Sequence, residues 1–185
     1  MERRSFVRSA GLAGVLAAGA APAIVHAQAT IRWRLASSFP KSLDSIYGAS
    51  ETMSKFVKDM TGGKFEISTH AAGELMPAFG VVDGVQQATI EMAHTAPYYF
   101  FGKDPTFALC CAIPFGLNSR QMTAWMLEGN GMKLMREFYA NFNIVNFVGG
   151  NTGAQMGGWF RKEIKSLADF KGLKFRVGEI GRAHV

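Results

Sequence analysis

A strand–helix–strand pattern over residues 31–69 constrains the fold most strongly. Ile31–Ala36 alternates apolar and polar residues, which predicts a half-buried strand. Apolar residues then recur at helical spacing over Leu43–Met60 until Thr61-Gly62-Gly63 stops the helix, and Phe65–Thr69 is predicted to be a second strand. This order of elements favours a parallel sheet with a right-handed crossover. The fold class expected is therefore α/β.

The loops that follow the two strands are the first candidates for a binding site. Parallel sheets bind ligands beyond the carboxyl ends of their strands. Ser37–Phe39 follows the first predicted strand and Ala72–Met76 follows the second, so both are expected at the mouth of a cleft. Glu74, in the second loop, is either a hydrogen-bond acceptor for a ligand or an exposed loop carboxylate.

Further periodicity predicts more of both element types. We expect helices over Ala78–Ala88, Ser119–Leu127 and Met132–Phe142, and strands over Ile90–Ala93, Ile144–Val148 and Leu173–Val177. The last two helices carry a methionine and aromatic stripe that predicts core packing. Its members are Met122, Trp125, Met126, Leu134, Met135, Phe138, Tyr139 and Phe142.

A histidine and an aromatic run follow the short strand at Ile90–Ala93. His94 has no partner at metal-ligand spacing, which favours a core or supporting role. Tyr98-Tyr99-Phe100-Phe101 adds two hydroxyls to four aromatic rings. Core packing explains Phe100 and Phe101 by themselves. Cys110 and Cys111, further on, are adjacent and are expected to be buried thiols, because adjacent cysteines pair only through a strained ring.

The stretch Gly149–Arg176 carries the polar groups best suited to a small anion. Asn151 and Gln155 add carboxamides to a segment without formal charge before Arg161. Arg176 ends the last predicted strand, and its planar fork suits a carboxylate because it makes two parallel hydrogen bonds. The residue types alone also fit a turn, an edge strand and a solvated arginine.

Four segments together resemble one protein family. They are RLASSFPKSLD, HTAPYYFFGKDPTFAL, GGNTGAQMGGWFR and SLADFKGLKFRVG. Their order and sequence resemble the periplasmic solute receptors of tripartite ATP-independent periplasmic (TRAP) transporters, and within them the branch that binds 2-oxo acids and similar monocarboxylates. The resemblance covers nearly everything from Arg32 to Gly178.

The resemblance implies a two-lobed periplasmic binding protein fold of type II-like architecture. Residues 28–150 would form lobe one, and residues 151–178 the first crossing between the lobes and the start of lobe two. Family receptors are considerably longer, so only these parts of the fold are expected here. We expect Glu179–Val185 to be non-native, because it matches the translation of a widely used sequencing adapter.

The resemblance also implies the binding residues. Arg176 would be the carboxylate clamp, and Gln155 would hold a sodium or calcium ion that bridges to the ligand. Asn151 would sit at the hinge, and Arg161 is either a secondary anion contact or a solvated charge. The full set expected to contact substrate is Arg176, Gln155, Asn151, Tyr99, Tyr98, Phe39 and Arg161.

Residues 1–27 are expected to be an export signal. Arg3 and Arg4 form the charged start, an apolar stretch follows, and small residues precede a cleavage site before Gln28. RRSFV fits a twin-arginine signal, and an ordinary Sec signal is the alternative. The mature protein is therefore expected in the periplasm and not embedded in the membrane.

Composition and missing motifs exclude other functions. The formal net charge of +6 is spread without a basic stripe, which argues against nucleic-acid binding. No GxSxG, phosphate-binding loop or HExxH motif occurs. The expected function is a receptor that passes a small organic acid to TRAP membrane subunits, and a homodimer of the complete protein is left open. The alternatives are an ABC-type receptor and a secreted enzyme with His94 and Glu74 as its acid–base pair.

Overall fold

The structure is a computed structural model that describes residues 30–111, 113–153 and 158–174. Its sheet consists of β1 (Ile31–Ser37), β2 (Phe65–His70) and β3 (Met92–His94). The α-helices in these ranges are α1 (Asp44–Met60), α2 (Val81–Gln86), α3 (Ser119–Leu127) and α4 (Gly131–Ala140). Short 3-10 helices cover Pro97–Phe100, Pro105–Ala108 and Leu167–Phe170.

The sheet is parallel and has the strand order β2-β1-β3. Ile31 lies opposite Phe65 where β1 and β2 begin, and Ser37 lies opposite His94 where β1 and β3 end. The chain therefore crosses to one side of β1 and then returns past it to the other side. The predicted parallel α/β sheet is confirmed. Its reversal of direction lies between the carboxyl ends of β1 and β3, where sheets of this kind bind ligands.

The apolar core is built around Phe107, which is completely buried. Its ring lies 4.9 Å from the ring of Phe138, 5.0 Å from that of Phe142 and 5.4 Å from that of Tyr139. Edge-on and tilted ring contacts at these distances stabilise a core beyond the area they bury. The predicted stripe is confirmed as part of this core except at Leu134, which is half exposed.

Helices α3 and α4 meet at a glycine that the packing requires. A Cβ atom at Gly131 would lie 2.8 Å from the ring of Trp125, so a larger residue would displace that ring. α3 itself begins with a capping box between Asn118 and Gln121, which satisfies the first backbone groups of the helix. This close junction explains why a glycine opens α4.

The helix predicted over Ala78–Ala88 is shorter than expected. It begins at Val81 after Gly80 and ends at Gln86. The residues before it form a turn in which the Gly80 amide donates to the Pro77 carbonyl at 2.9 Å. Phe79 is consequently a loop residue and is 65% exposed.

The strand predicted over Ile144–Val148 is wrong for the described part of the chain. Burial still alternates, with Ile144 and Asn146 half-buried between exposed neighbours. A strand also needs a partner for its backbone hydrogen bonds, and no described segment pairs with this one. Of the predicted strand Leu173–Val177, only its first two residues are described.

Several expectations fall outside the described residues or concern membranes. The signal over residues 1–27 and the segment Glu179–Val185 both lie outside them. No helix in the described ranges combines the length and the apolar character that a bilayer crossing needs. The adjacent cysteines are half-buried rather than buried.

Candidate functional site

The carboxyl ends of β1 and β3 bring two polar loops together. Ser37, Ser38 and Phe39 end or follow β1, and all are buried. The Ser38 amide donates to the carbonyl of His94 at 2.8 Å, which fixes the loop after β1 against the end of β3. We call Ser37, Ser38, His94 and Thr95 the carboxyl edge. It occupies the position at which this strand order predicts a ligand cleft.

Ser38 is held by a chain of hydrogen bonds. Its Oγ atom lies 2.6 Å from the carbonyl oxygen of Ala78 and 2.7 Å from Oγ1 of Thr95. A carbonyl only accepts and a hydroxyl carries one proton, so Ser38 donates to Ala78 and Thr95 supplies the proton of the second bond. The network joins the loops that follow β1 and β3 to the turn before α2.

His94 is uncharged, and its ring contacts the side chains of Ser37 and Phe39. Its Nδ1 atom lies 3.4 Å from Oγ of Ser37, and its ring meets the ring of Phe39 edge-on at 5.1 Å. Burial lowers the pKa of His94 below its ordinary value of 6.5, because the charged form would lose its hydration. The imidazole is therefore neutral at pH 7. This agrees with the core or supporting role expected from the sequence.

An aromatic wall stands beside these polar groups. The ring of Tyr99 lies 4.7 Å from that of Tyr98, 5.2 Å from that of Phe79 and 6.2 Å from that of Phe39. We call Phe39, Phe79, Tyr98 and Tyr99 the aromatic wall. The structure thus brings together three predicted site residues, Phe39, Tyr98 and Tyr99.

Phe79 is the member of the wall that the sequence did not indicate. It lay inside the predicted helix Ala78–Ala88, where an aromatic residue suggests packing rather than a site. Pro77 before it and Gly80 after it are turn residues, and together they are the signal that places Phe79 in a loop.

Glu74 has a structural role in the loop after β2. One of its carboxylate oxygens accepts a hydrogen bond from Lys41 at 2.7 Å, and the other accepts from the Ala71 amide at 2.9 Å. These bonds, with that of Lys41 the larger cause, lower the pKa of Glu74. Both oxygens join the loop after β2 to neighbouring groups. Of the two alternatives for Glu74, the exposed loop carboxylate therefore fits better than an acceptor for a ligand. The proposed acid–base pair of Glu74 with His94 has no contact among the described residues.

The segment after α4 approaches the carboxyl edge. A Cβ atom at Gly149 would lie 3.9 Å from Cδ2 of His94, so the backbone here is in near contact with the imidazole. Asn151 follows two residues later, within about 7 Å along the chain. Its Oδ1 atom accepts from the Gly153 amide at 2.8 Å, which forms a local turn.

The remaining predicted residues are placed differently. Arg161 is exposed, and in the described ranges no hydrogen bond or ion pair connects it to the carboxyl edge. Gln155 and Arg176 lie outside the described residues. The described chain also contains no cluster of three or more His, Cys, Asp or Glu side chains that would hold a metal ion.

This arrangement is suited to binding. It combines an uncharged imidazole, buried hydroxyls and an apolar aromatic wall at one end of a parallel sheet. Ser37 and His94 do not form a nucleophile with its base. The Ser37 oxygen is buried, accepts a hydrogen bond from the Phe39 amide at 3.1 Å and lies at the long limit of contact with the imidazole.

Comparisons with known proteins agree with this description. The chain is 52% identical over 151 residues to a monocarboxylate 2-oxoacid-binding periplasmic protein of Nostoc sp., a match that covers 82% of this chain and 41% of that protein. A TRAP transporter solute-binding protein of Bordetella bronchiseptica, solved with calcium and picolinate, shares 47% identity and a TM-score of 0.78 over 82% of this chain and 45% of its own. One from Pseudoalteromonas atlantica, solved with sodium and pyruvate, shares 42% identity and a TM-score of 0.76 over 80% and 45%.

The chain therefore spans less than half the length of these relatives. The family signature of bacterial extracellular solute-binding proteins, family 7, matches residues 36–182, which extends four residues past the predicted end of native sequence at Gly178. Because the match covers most of the chain, the protein belongs to the family 7 bacterial extracellular solute-binding proteins.

Proposed function

We propose that this chain is part of a periplasmic receptor that captures a 2-oxo monocarboxylate, such as pyruvate, and delivers it to TRAP membrane subunits. The observation that carries the proposal is the uncharged carboxyl edge with its aromatic wall, at the reversal point of the sheet. The relative from Pseudoalteromonas atlantica was solved with pyruvate and sodium, which supports the substrate class. The family consists of solute-binding proteins, and the enzyme alternative loses its proposed acid–base pair.

The chemistry of a 2-oxo acid divides between two surfaces. Its methyl or longer apolar group suits the aromatic wall, to which Phe39 and Tyr99 contribute rings and Tyr98 a phenol. Its carboxylate needs a cation, and the carboxyl edge provides none because His94 is neutral. Arg176 supplies that charge in the proposal, through two parallel hydrogen bonds.

Three further residues complete the proposed contacts. Gln155 gives an amide oxygen to a sodium or calcium ion, cations that prefer oxygen ligands. Asn151 contacts the ligand from the hinge, which the approach of Gly149 to His94 supports. Arg161 supplies a second, peripheral positive charge.

The location and assembly follow the same proposal. Export uses the signal over residues 1–27, by the twin-arginine or the Sec route, and the mature receptor works in the periplasm. The complete protein forms a homodimer. A relative from Bordetella bronchiseptica was solved as a dimer, which supports this part.

Calorimetric titration of the complete protein with pyruvate tests the proposal. Binding is expected to require sodium or calcium and to weaken on the order of 100-fold in Arg176→Ala, because a charge-assisted pair of hydrogen bonds is lost. Arg120→Ala, which removes an exposed arginine from α3, is the matched control and should bind normally.

Each failure has a separate meaning. Pyruvate binding that survives Arg176→Ala would contradict the clamp, and cation-independent binding would contradict the role of Gln155. A complete protein that binds none of pyruvate and the longer 2-oxo acids would overturn the substrate class. Turnover of pyruvate that is lost in His94→Ala would favour the enzyme instead.

A further inference from the structure

The adjacent residues Cys110 and Cys111 hold two thiols against one backbone carbonyl. Sγ of Cys110 lies 3.7 Å from the carbonyl oxygen of Phe107, and Sγ of Cys111 lies 3.8 Å from the same atom. Both side chains are half-buried thiols. The 3-10 helix Pro105–Ala108, which ends just before them, therefore turns the two sulfur atoms to one side of the chain.

Their surroundings support a shared site. The pKa of Cys110 is lowered, chiefly because its side chain forms a hydrogen bond with that of Cys111. Tyr139 lies nearby, and its pKa is raised first by burial and then by the two neighbouring cysteines. Both sulfur atoms thus lie against the carbonyl oxygen of Phe107, and Cys110 packs against the core that contains the buried Tyr139.

A direct disulfide does not suit this pair. Consecutive Cα atoms are about 3.8 Å apart, whereas disulfides usually need about 4.4–6.8 Å. A single atom that bonds both sulfurs makes a larger ring and removes this constraint. Soft, thiophilic centres prefer such thiolate pairs.

We propose that Cys110 and Cys111 form a dithiol site for a soft, thiophilic centre of the trivalent arsenical class. Two As–S bonds form while two S–H bonds break, and the oxygen of the organoarsenic oxide leaves with both protons as water, so no oxidant or reductant is needed. The site is separate from the carboxyl edge and does not depend on the proposed acid binding.

Phenylarsine oxide is the probe, applied to the folded complete protein and followed by mass spectrometry and thiol titration. We expect one arsenical to bind Cys110 and Cys111, to resist a monothiol wash and to be released by 2,3-dimercaptopropanol. Cys110→Ser and Cys111→Ser should each lower retention by about 100-fold or more, because the second bond of a chelate forms intramolecularly. Serine keeps a donor for the Phe107 carbonyl, so both variants are conservative.

A second measurement guards against variants that do not fold. Binding to the native state should raise the thermal midpoint of the parent protein in proportion to the logarithm of probe concentration. The proposal is overturned if the probe labels these thiols only in denaturant, if it lowers the midpoint, or if both serine variants retain it like the parent.

Discussion

The two halves of the sheet differ in the charge and exposure of their polar groups. At the amino half, Arg34 forms two ion-pair hydrogen bonds with Glu91, at 2.7 and 3.0 Å, in side chains that solvent still reaches. At the carboxyl edge, Ser38 is buried, His94 is half-buried, and neither carries a charge. The first arrangement joins β1 to the start of β3, and the second leaves a neutral surface.

The difference separates a structural role from the binding role proposed for the carboxyl edge. Exposed ion pairs are screened by water and chiefly fix how elements are joined. Buried neutral groups keep their hydrogen bonds regardless of salt, and they do not compete with a ligand for its counter-charge. The charge of a bound anion must then be met elsewhere, and in the proposed function Arg176 meets it.

Ser38→Ala should have the largest effect on stability. It removes a buried hydroxyl and leaves the Ala78 carbonyl and the Thr95 hydroxyl without that partner, which costs about 1–3 kcal/mol of unfolding free energy. Urea denaturation measures it, with Ser45→Ala, an exposed hydroxyl on α1, as the control. Equal midpoints for the two variants would mean that the carboxyl edge is not a buried network.

His94 should produce a dependence of stability on pH. Its folded-state pKa lies below the unfolded value of 6.5, so its contribution is full above that pH and is lost as the pH falls through the folded pKa. One proton limits the slope to about 1.4 kcal/mol per pH unit. The slope should disappear in His94→Phe, and NMR titration of the imidazole gives the pKa directly. An imidazole that titrates at or above 6.5 would contradict the burial argument.

Glu91→Gln should have a smaller effect, confined to a different pH range. The hydrogen bonds from Arg34 hold the pKa of Glu91 at about 2, so the contribution is present above about pH 5 and is lost as the pH falls towards that value. Parent and variant should differ in urea midpoint at pH 7 and converge in acid. The difference should also shrink in high salt, unlike that of Ser38→Ala. A difference in urea midpoint that does not depend on salt would contradict an electrostatic contribution from the Arg34–Glu91 pair.

Glu74→Gln should have the smallest and most local effect. The Ala71 amide donates to this carboxylate, and the exposed pair with Lys41 adds little in water. We expect faster hydrogen exchange at the Ala71 amide without a measurable change in the urea midpoint. Glu51→Gln, on the exposed side of α1, should leave that amide unchanged. Loss of pyruvate binding in Glu74→Gln would instead assign Glu74 to the site.

The sequence correctly predicted elements that are defined by neighbouring residues, such as capping residues and an apolar stripe. The bounds of α3 match the prediction, because Asn118 and Gln121 form the capping box and the apolar stripe continues for the whole helix. The prediction over Ala78–Ala88 overshot at both ends because periodicity does not show where a turn displaces a helix. Leu134 followed the stripe in sequence but stays half exposed in the described part of the chain.

For this protein the sequence by itself determined the parallel α/β class and the family, and it named the loops after β1 and β2 and the residues that follow β3 as site candidates. Only the tertiary structure decided which groups in those loops meet. Strand order brought Ser38 to Thr95 across 57 positions of sequence, and a turn carried Phe79 to Tyr99. Long-range contacts of this kind depend on how strands are ordered and helices packed, whereas periodicity reports only the conformation of neighbouring residues. The same limit explains Ile144–Val148, where the alternating pattern gave alternating burial but no described partner made the segment a strand.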